Sequence, residues 1–208
     1  MALFITFEGG EGSGKTVQAR TLYRRLGQLA IPALLTHEPG GTPLGQRLAR
    51  GLKWAHGTGI SPLAELLLFN ASRAQLIADV IQPALKSGRV VICDRYTDST
   101  IAYQSYGRGL DPGLVRSINN TATRGLIPGL TILLDIPVEE GLARKGGKKP
   151  DRFEQEDISF HQKVRDGYLK LAAGEPERWL VIDARQPKGK IREIIWQKVS
   201  RLLAKKED

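Results

Sequence analysis

Short apolar runs alternate along this chain with longer segments that have helical periodicity. The runs are LFITF, ALLTH, RVVIC, LTILLDI and WLVID, and their length and β-branched content predict five strands. Strands that alternate with helices favour a parallel sheet, because parallel neighbours are joined by crossovers that cover both faces. The pattern therefore predicts a single α/β domain over residues 1–208, with a parallel five-stranded sheet and helices on both faces.

Capping residues mark where two of the helices begin. Ser61-Pro62 and Asp111-Pro112 each place an N-cap residue before a proline, and they predict a long helix and a helix that runs toward Arg124. Further helices are predicted over TVQARTLYRRLGQLA and near residues 44–53. Three more are expected: one begins at STIAYQ, one ends at residue 144, and one begins at about residue 188. The long helix is expected to bury a stripe made of Leu63, Leu66, Leu67, Ala74, Ile77 and Ile81.

The composition limits the class of protein without selecting a partner. With 41% hydrophobic and 25% charged residues, the chain is typical of a folded globular domain. Its net charge of +9 attracts anions in general, including nucleotides and nucleic acid. The single cysteine, Cys93, is expected to be a buried small residue, and the three scattered histidines lack zinc-site spacing. We expect no targeting segment, no membrane span and a cytoplasmic location.

A glycine-rich stretch, FEGGEGSGKT, lies between the first predicted strand and the first predicted helix. It fits the pattern GxxxxGK[ST], in which backbone N–H groups wrap a polyphosphate. Only residues without a Cβ let the backbone approach the phosphates so closely. The lysine then reaches the β- and γ-phosphates, and the helix N-terminus adds positive charge. A simple glycine turn is the competing interpretation, but the flanking strand and helix favour a nucleoside triphosphate site. Its predicted residues are Gly9, Gly10, Glu11, Gly12, Ser13, Gly14, Lys15 and Thr16.

One segment has neither strand nor helix periodicity. RKGGKKPDRFEQED, residues 144–157, contains two glycines and a proline and concentrates positive charge. Most charge runs of this kind are solvated loops. Because the same chain has a phosphate loop, we favour a short basic lid that closes over phosphates. The cations of this lid are Arg144, Lys145, Lys148, Lys149 and Arg152.

Four parts of the sequence, taken in order, resemble the thymidylate kinase family. They are FEGGEGSGKT, EPGGT, LLLFNASRAQLI with DRYTDSTIAYQ, and the lid ending in DRFEQE, and they extend from about Phe4 to Asp183. A phosphate loop alone is unspecific, whereas this combination is highly specific. The resemblance implies a P-loop kinase fold, transfer of the γ-phosphoryl group of ATP to dTMP with Mg²⁺, and a homodimer built from packed helices.

The DRY sequence follows a predicted strand directly. Asp94 and Arg95 should therefore lie at the carboxyl edge of the sheet, where open α/β sheets bind ligands. Arg95 suits bidentate capture of a monophosphate, and Asp94 could hold Mg²⁺ or its water shell. The loop pattern gives the Thr16 hydroxyl as a ligand of the same ion. An Asp–Arg pair that only caps the strand end is the structural alternative.

A second group of residues is expected to recognise the nucleoside. Phe69 and Arg73 lie four apart on the long helix, so one face could stack a base and donate to its carbonyl oxygen. The resemblance implies this role toward thymine, and a core phenylalanine under a surface arginine is the alternative. The resemblance also implies that Thr100 and Gln104 approach the base edge and that Tyr103 packs near the sugar C2′. Without it, Tyr103 would be an ordinary core aromatic.

Two positions in the glycine loop indicate where catalytic positive charge comes from. The resemblance implies that Glu11 contacts the sugar 3′-hydroxyl and lies near the metal. One subgroup of the family carries an arginine at the position of Gly12, and the other supplies charge from the lid. With Gly12 and a basic lid, this chain is similar to the second subgroup, and Arg144 or Lys148 is expected on the transferring phosphoryl group. The expected catalytic set is Lys15, Arg95, Arg144, Lys148 and Glu11.

Two other functions fit parts of the sequence. A deoxynucleoside kinase would attack with a neutral hydroxyl and would need a carboxylate base, which Asp94 could mimic. A basic P-loop ATPase that acts on nucleic acid would need a basic stripe with aromatic residues, and neither is clear here. We therefore expect ATP and dTMP as partners, with no nucleic acid and no membrane.

Overall fold

Five strands form one parallel sheet in this computed structural model, which describes residues 2–54, 59–146 and 150–204. The strands are β1 Leu3–Glu8, β2 Ala33–His37, β3 Val90–Asp94, β4 Leu130–Asp135 and β5 Trp179–Asp183. Their order across the sheet is β2-β3-β1-β4-β5. All five coincide with the predicted apolar runs, so the predicted five-stranded parallel sheet is confirmed.

The helices begin where the capping residues predict. The helices are α1 Lys15–Gln28, α2 Pro43–Trp54, α3 Pro62–Leu76, α4 Gln82–Lys86, α5 Thr97–Thr100, α6 Pro112–Thr123, α7 Val138–Ala143, α8 Ile158–Gly174 and α9 Lys188–Ala204. The π-helical segments Ile77–Ile81 and Ile101–Gly107 extend α3 into α4 and continue α5. The Ser61 hydroxyl accepts from the Ala64 N–H, and the Asp111 carboxylate accepts from the Leu114 N–H. Both predicted N-caps are thus confirmed.

Helices cover both faces of the sheet, as the sequence predicts. Ile5 of β1 packs in one cluster with Leu22 of α1 and Ile195 of α9. Phe4 and Cys93 pack on the opposite face, in a cluster that contains the end of α3. Cys93 is fully buried, as expected. No helix in the described part of the chain combines the length and apolar character of a membrane span.

The helices differ from the sequence predictions in two respects. Helix α8 was not predicted, although Phe160, Val164, Tyr168 and Leu171 are buried along it at helical spacing. The stripe on the long helix is also wrong in part, because the side chains of three of its six members are exposed: Leu63, Leu67 and Ala74. Polar residues take part of the buried face of α3 instead, and they are Glu65, Asn70, Ser72 and Arg73.

The position of β1 brings the glycine loop and the DRY sequence together. β1 lies between β3 and β4, and Phe7 pairs with Asp94 in the parallel register. The carboxyl ends of β1 and β3 therefore meet at one edge of the sheet, where the loop leaves β1 and Arg95 follows β3.

Candidate functional site

A cavity of about 840 Å³ opens at this carboxyl edge. It is lined by residues of the glycine loop, of α3, of the end of β3 and of the segment that follows α7. The cavity brings together most of the predicted site residues, which are Glu11, Gly12, Gly14, Lys15, Thr16, Phe69, Arg73, Asp94, Arg95, Thr100, Tyr103, Gln104 and Arg144. Lys148, the remaining catalytic candidate, lies outside the described residues.

The glycine loop has the backbone that a phosphate cradle needs. Gly9, Gly12 and Gly14 have φ values of 138°, 67° and 90°, a region that residues with a Cβ rarely adopt. The Lys15 ammonium curls back over the loop and donates to the carbonyl oxygens of Gly9 and Gly10, at 2.9 and 2.7 Å. Burial and a neighbouring guanidinium lower the pKa of Lys15 to about 8. A buried cation thus lies over the loop, where a polyphosphate would enter.

Helix α7 packs directly on this loop. A Cβ added to Gly12 would lie 1.8 Å from the carbonyl oxygen of Gly141, so position 12 has no room for any side chain. Arg144 follows Gly141 by three residues and therefore stands on the same side of the helix, next to the cavity. The backbone N–H of Arg144 donates to the Glu140 carbonyl, and its guanidinium donates to the Ala184 carbonyl at 3.1 Å. The loop thus cannot supply a cation from position 12, whereas the end of α7 can.

Glu11 is the most heavily paired acid of the loop. Its carboxylate accepts from Arg95 at 2.6 Å, from the Tyr103 hydroxyl at 3.0 Å and from the Lys145 ammonium at 2.7 Å. Burial alone would raise its pKa, but the charges of Arg95, Lys15 and Lys145 hold the pKa of Glu11 well below its usual range. Glu11 is therefore a permanent carboxylate at the centre of a group of cations.

Thr16 and Asp94 lie beside the loop and are joined by a hydrogen bond, which the Thr16 hydroxyl donates. A hydroxyl and a carboxylate are the oxygen donors that Mg²⁺ prefers, so this pair fits a magnesium ion. Within the described ranges there is no cluster of three or more His, Cys, Asp or Glu residues suited to a metal. The remaining ligands of such an ion would thus come from phosphates and water, as Mg²⁺ commonly requires.

Arg73 is buried, with 1% of its surface exposed, so the alternative of a surface arginine over a core phenylalanine is wrong. Its guanidinium forms an ion pair with Glu38 at 2.6 Å and donates to Asn119 and Thr100, both at 2.8 Å. Phe69 is half-buried at the cavity wall, with its ring 5.7 Å from that of Phe153. Arg73 is thus held in a fixed orientation beside the cavity.

The other predicted nucleoside contacts are also fixed by hydrogen bonds. The Gln104 amide donates to Glu65 at 2.7 Å, and both residues are fully buried or nearly so. The Tyr103 hydroxyl donates to Glu11 and accepts from Arg95, while its ring packs in a hydrophobic cluster. Tyr103 is therefore both a core aromatic and a cavity residue.

The basic lid differs in part from its prediction. Lys145 pairs with Glu154 from the far end of the segment as well as with Glu11. Arg152, expected among the lid cations, instead donates to the Leu52 carbonyl at 3.0 Å and pairs with Glu65. Its guanidinium thus ties the end of the segment to helices α2 and α3, because the buried Glu65 carboxylate attracts it. Residues 147–149, including Lys149, lie outside the described part.

Sequence reasoning missed five polar residues that surround the site. They are Glu8, Glu38, Glu65, Ser99 and Tyr168. Glu8 and Glu38 stand inside FEGG and EPGGT, two stretches that pointed to function, but nothing local indicates that they are buried. Their partners are distant in sequence, so only the fold brings these contacts together.

Comparison with known proteins gives a consistent result over nearly the whole chain. A family model described as thymidylate kinase matches residues 7–195. The chain is 56% identical over 203 residues to a thymidylate kinase of Dehalococcoides mccartyi, covering 98% of each protein. It is 50% identical over 199 residues to a thymidylate kinase of Deinococcus radiodurans, covering 95% of this chain and 96% of that protein.

A solved structure agrees with the sequence comparisons. The crystal structure of thymidylate kinase from Ehrlichia chaffeensis superposes with a TM-score of 0.74 at 36% identity. The match covers 87% of this chain and 92% of the other.

Proposed function

Because this chain belongs to the thymidylate kinase family, it is an enzyme that phosphorylates dTMP to dTDP with ATP, and we propose which of its residues carry that reaction. The supporting observation is one cavity that holds the phosphate loop, the Arg95 guanidinium and the Phe69 and Arg73 pair. A donor polyphosphate and an acceptor nucleotide could therefore bind next to each other at this one edge of the sheet.

The donor site is proposed at the glycine loop. Backbone N–H groups of Gly9 to Gly14 and the N-terminus of α1 would bind the polyphosphate, and Lys15 would leave its carbonyl partners for the β- and γ-phosphates. Thr16 and Asp94 would hold Mg²⁺, which when bound neutralises phosphate charge. Binding thus replaces the bonds of Lys15 to neutral carbonyl oxygens by contacts to charged oxygens.

The acceptor needs no general base. The second pKa of a phosphate monoester is about 6, so the attacking oxygen of dTMP is largely anionic at neutral pH. Arg95 would hold this phosphate, and catalysis would come from alignment and charge stabilisation. A deoxynucleoside kinase would instead need a carboxylate base close to a neutral hydroxyl.

The thymine would lie between Phe69 and the buried arginine. We propose that Phe69 stacks on the base, that Arg73 donates to its carbonyl oxygen, and that Thr100 and Gln104 approach its edge. Tyr103 would pack near C2′ of the sugar, with Glu11 beside it on the 3′-hydroxyl.

Three further statements are proposals of the same kind. The homodimer implied by the family is supported by exposed apolar side chains on α3 and α6, which are Leu63, Leu67 and Leu114. A cytoplasmic location and the absence of nucleic-acid or membrane partners stay predictions from the sequence.

A panel of acceptors tests the function. In a coupled assay of ADP release, we expect dTMP to be phosphorylated faster than dCMP or dGMP, and thymidine not at all. Equal rates on all monophosphates would contradict the proposed base site. Faster turnover of thymidine would indicate a deoxynucleoside kinase, and ATP turnover stimulated by DNA without dTMP would indicate the ATPase.

Replacing Arg73 by alanine tests the proposed base contact. The loss of one donor to a carbonyl should weaken dTMP binding by roughly 1–3 kcal/mol and reduce the preference for dTMP over dCMP. Because Glu38 would lose its buried partner, the variant should also unfold more easily. The ratio of kcat/KM for the two acceptors is therefore the diagnostic measurement.

Arg178→Ala is the matched control for that experiment. Arg178 also pairs with a buried carboxylate, that of Asp98 at 2.7 Å, but it does not line the cavity. It should lose stability and keep its acceptor preference. An unchanged preference in Arg73→Ala would remove Arg73 from base recognition.

A further inference from the structure

Glu8, the last residue of β1, is a fully buried carboxylate to which the mechanism above gives no role. Its two oxygens accept from the Tyr96 backbone N–H at 2.8 Å, the Ser99 hydroxyl at 2.5 Å and the Tyr168 hydroxyl at 3.1 Å. Burial and the neighbouring Asp98 carboxylate raise the pKa of Glu8 to about 7. A buried carboxylate is costly unless it is hydrogen-bonded, and three donors satisfy that of Glu8.

The donors around Glu8 also contact Arg95. One guanidinium nitrogen, Nη1, donates to the Ser99 hydroxyl and to the Tyr168 hydroxyl, each at 3.2 Å. The two hydroxyl oxygens are also 2.7 Å apart, so they form one hydrogen-bonded group. Each hydroxyl has a single proton, so Ser99 can donate to Glu8 while Tyr168 donates to Ser99 or to Glu8, and both can accept from Arg95. The two hydroxyls thus link the Glu8 carboxylate to the guanidinium.

The backbone of Arg95 depends on the same residue. Arg95 has a φ of 72°, a left-handed conformation that residues with a Cβ adopt rarely and at a cost. Its own N–H donates to the Phe7 carbonyl at 2.9 Å, and the next N–H, that of Tyr96, donates to Glu8. The end of β1 therefore holds both peptide groups that flank Arg95, and this fixes the strained backbone.

We propose that Glu8 is a positioning residue for capture of the acceptor phosphate, a role that rests on the proposed phosphate contact of Arg95. It holds the backbone of Arg95 through Tyr96 and one side of the guanidinium through Ser99 and Tyr168. The link to Glu8 passes through neutral hydroxyls on Nη1, whereas the direct carboxylate partner of Arg95 is Glu11. The other nitrogen, Nη2, donates to Glu11 at 2.6 Å and to the Tyr103 hydroxyl at 3.2 Å, and both of these residues line the cavity.

Binding of dTMP and of thymidine to the Glu8→Gln variant tests this role. Both ligands carry the base and the sugar, but only dTMP carries the phosphate. By calorimetry without ATP, we expect the variant to bind dTMP about tenfold more weakly, as for a misplaced charge-assisted contact, and thymidine unchanged. In steady state the KM for dTMP should rise while the KM for ATP stays constant. An equal loss for both ligands would show a purely structural role and overturn the proposal.

A double-mutant cycle separates this inference from the proposed function. In an Arg95→Met background, Glu8→Gln should have no further effect on dTMP affinity, because the group it positions is gone. If Arg95→Met itself keeps its dTMP affinity, the proposed phosphate contact fails. If Arg95→Met loses affinity and Glu8→Gln does not, only the positioning role is overturned.

Two more variants keep the test decisive if Glu8→Gln does not fold. Tyr168→Phe and Ser99→Ala each remove one linking hydroxyl and should give the same phosphate-specific loss, to a smaller extent. Asp135→Asn is the matched control, because Asp135 ends the neighbouring strand and pairs with Arg165 of the same helix α8, away from Arg95. It should bind dTMP and thymidine normally. A phosphate-specific loss in this control, or none in the two hydroxyl variants, would contradict the proposal.

Discussion

Replacing Lys15 by alanine is expected to lower kcat by about 10³-fold or more while the protein stays folded. The ammonium group lies over the loop that would cradle the phosphates and, among the described residues, bonds to loop oxygens. Because these bonds lie within the loop, their loss breaks no contact between separate elements. What is lost is the positive charge of the lysine, which would stabilise the transferring phosphoryl group.

The measurement is ADP release at pH 7, with thermal unfolding as the test of the fold. At that pH the lysine is protonated, since its pKa is lowered only to about 8. Lys163→Ala, which removes an equal charge from an exposed position on α8, is the matched control and should remain active. Near-normal turnover in Lys15→Ala would contradict the phosphate-loop interpretation.

Much of the fold could be predicted because its signals are local. An apolar run of five residues, or a serine before a proline, carries its meaning within a few positions, and all five strands and both caps were found in that way. Helix α8 carries a local signal of the same kind, since its apolar spacing is regular. The exposure of Leu63 and Leu67 is different, because leucines at helical spacing give no sign that their own chain leaves them uncovered.

The site was predictable where chemistry depends on residue type and order, and not where it depends on distant pairing. The glycine loop and the DRY sequence are recognisable from their order alone. The Glu38 and Arg73 pair joins positions 35 residues apart, and the Glu8 and Tyr168 bond spans 160 residues. Such buried polar pairs are decided by which elements the sheet order makes neighbours, so sequence patterns do not reveal them.

The lid cation was also predictable only in part. The sequence predicts that a lid cation contacts the transferring phosphoryl group, and the packing of α7 limits where that cation can lie. Gly12 touches Gly141 so closely that no side chain fits there, and this contact fixes α7 against the phosphate loop. Lys145 is committed to Glu11 and Glu154, and Arg152 to Glu65. Arg144 uses its guanidinium for one bond to a carbonyl and lines the cavity, so it can turn to a phosphoryl group at little cost.

Arg144→Ala is therefore expected to lower kcat by roughly 10²-fold or more, with a smaller change in the KM for ATP. A large fall in kcat with a small change in KM indicates a contact made mainly in the transition state. There the charge on the transferring group needs a donor that Lys15 and the metal do not supply. Arg144→Lys should recover only part of the loss, because a point charge cannot make two parallel hydrogen bonds. Steady-state kinetics at saturating dTMP measure both effects.

Arg185→Ala is the matched control for Arg144, because Arg185 follows the Ala184 carbonyl that Arg144 contacts and, among the described residues, pairs only with the half-buried Asp183. It should keep its kcat. If Arg144→Ala keeps kcat and Lys148→Ala loses it, the transferring phosphoryl group is bound by the lysine, and our alignment of the lid is wrong by one turn. If neither substitution matters, residues 144–157 are only a solvated basic loop.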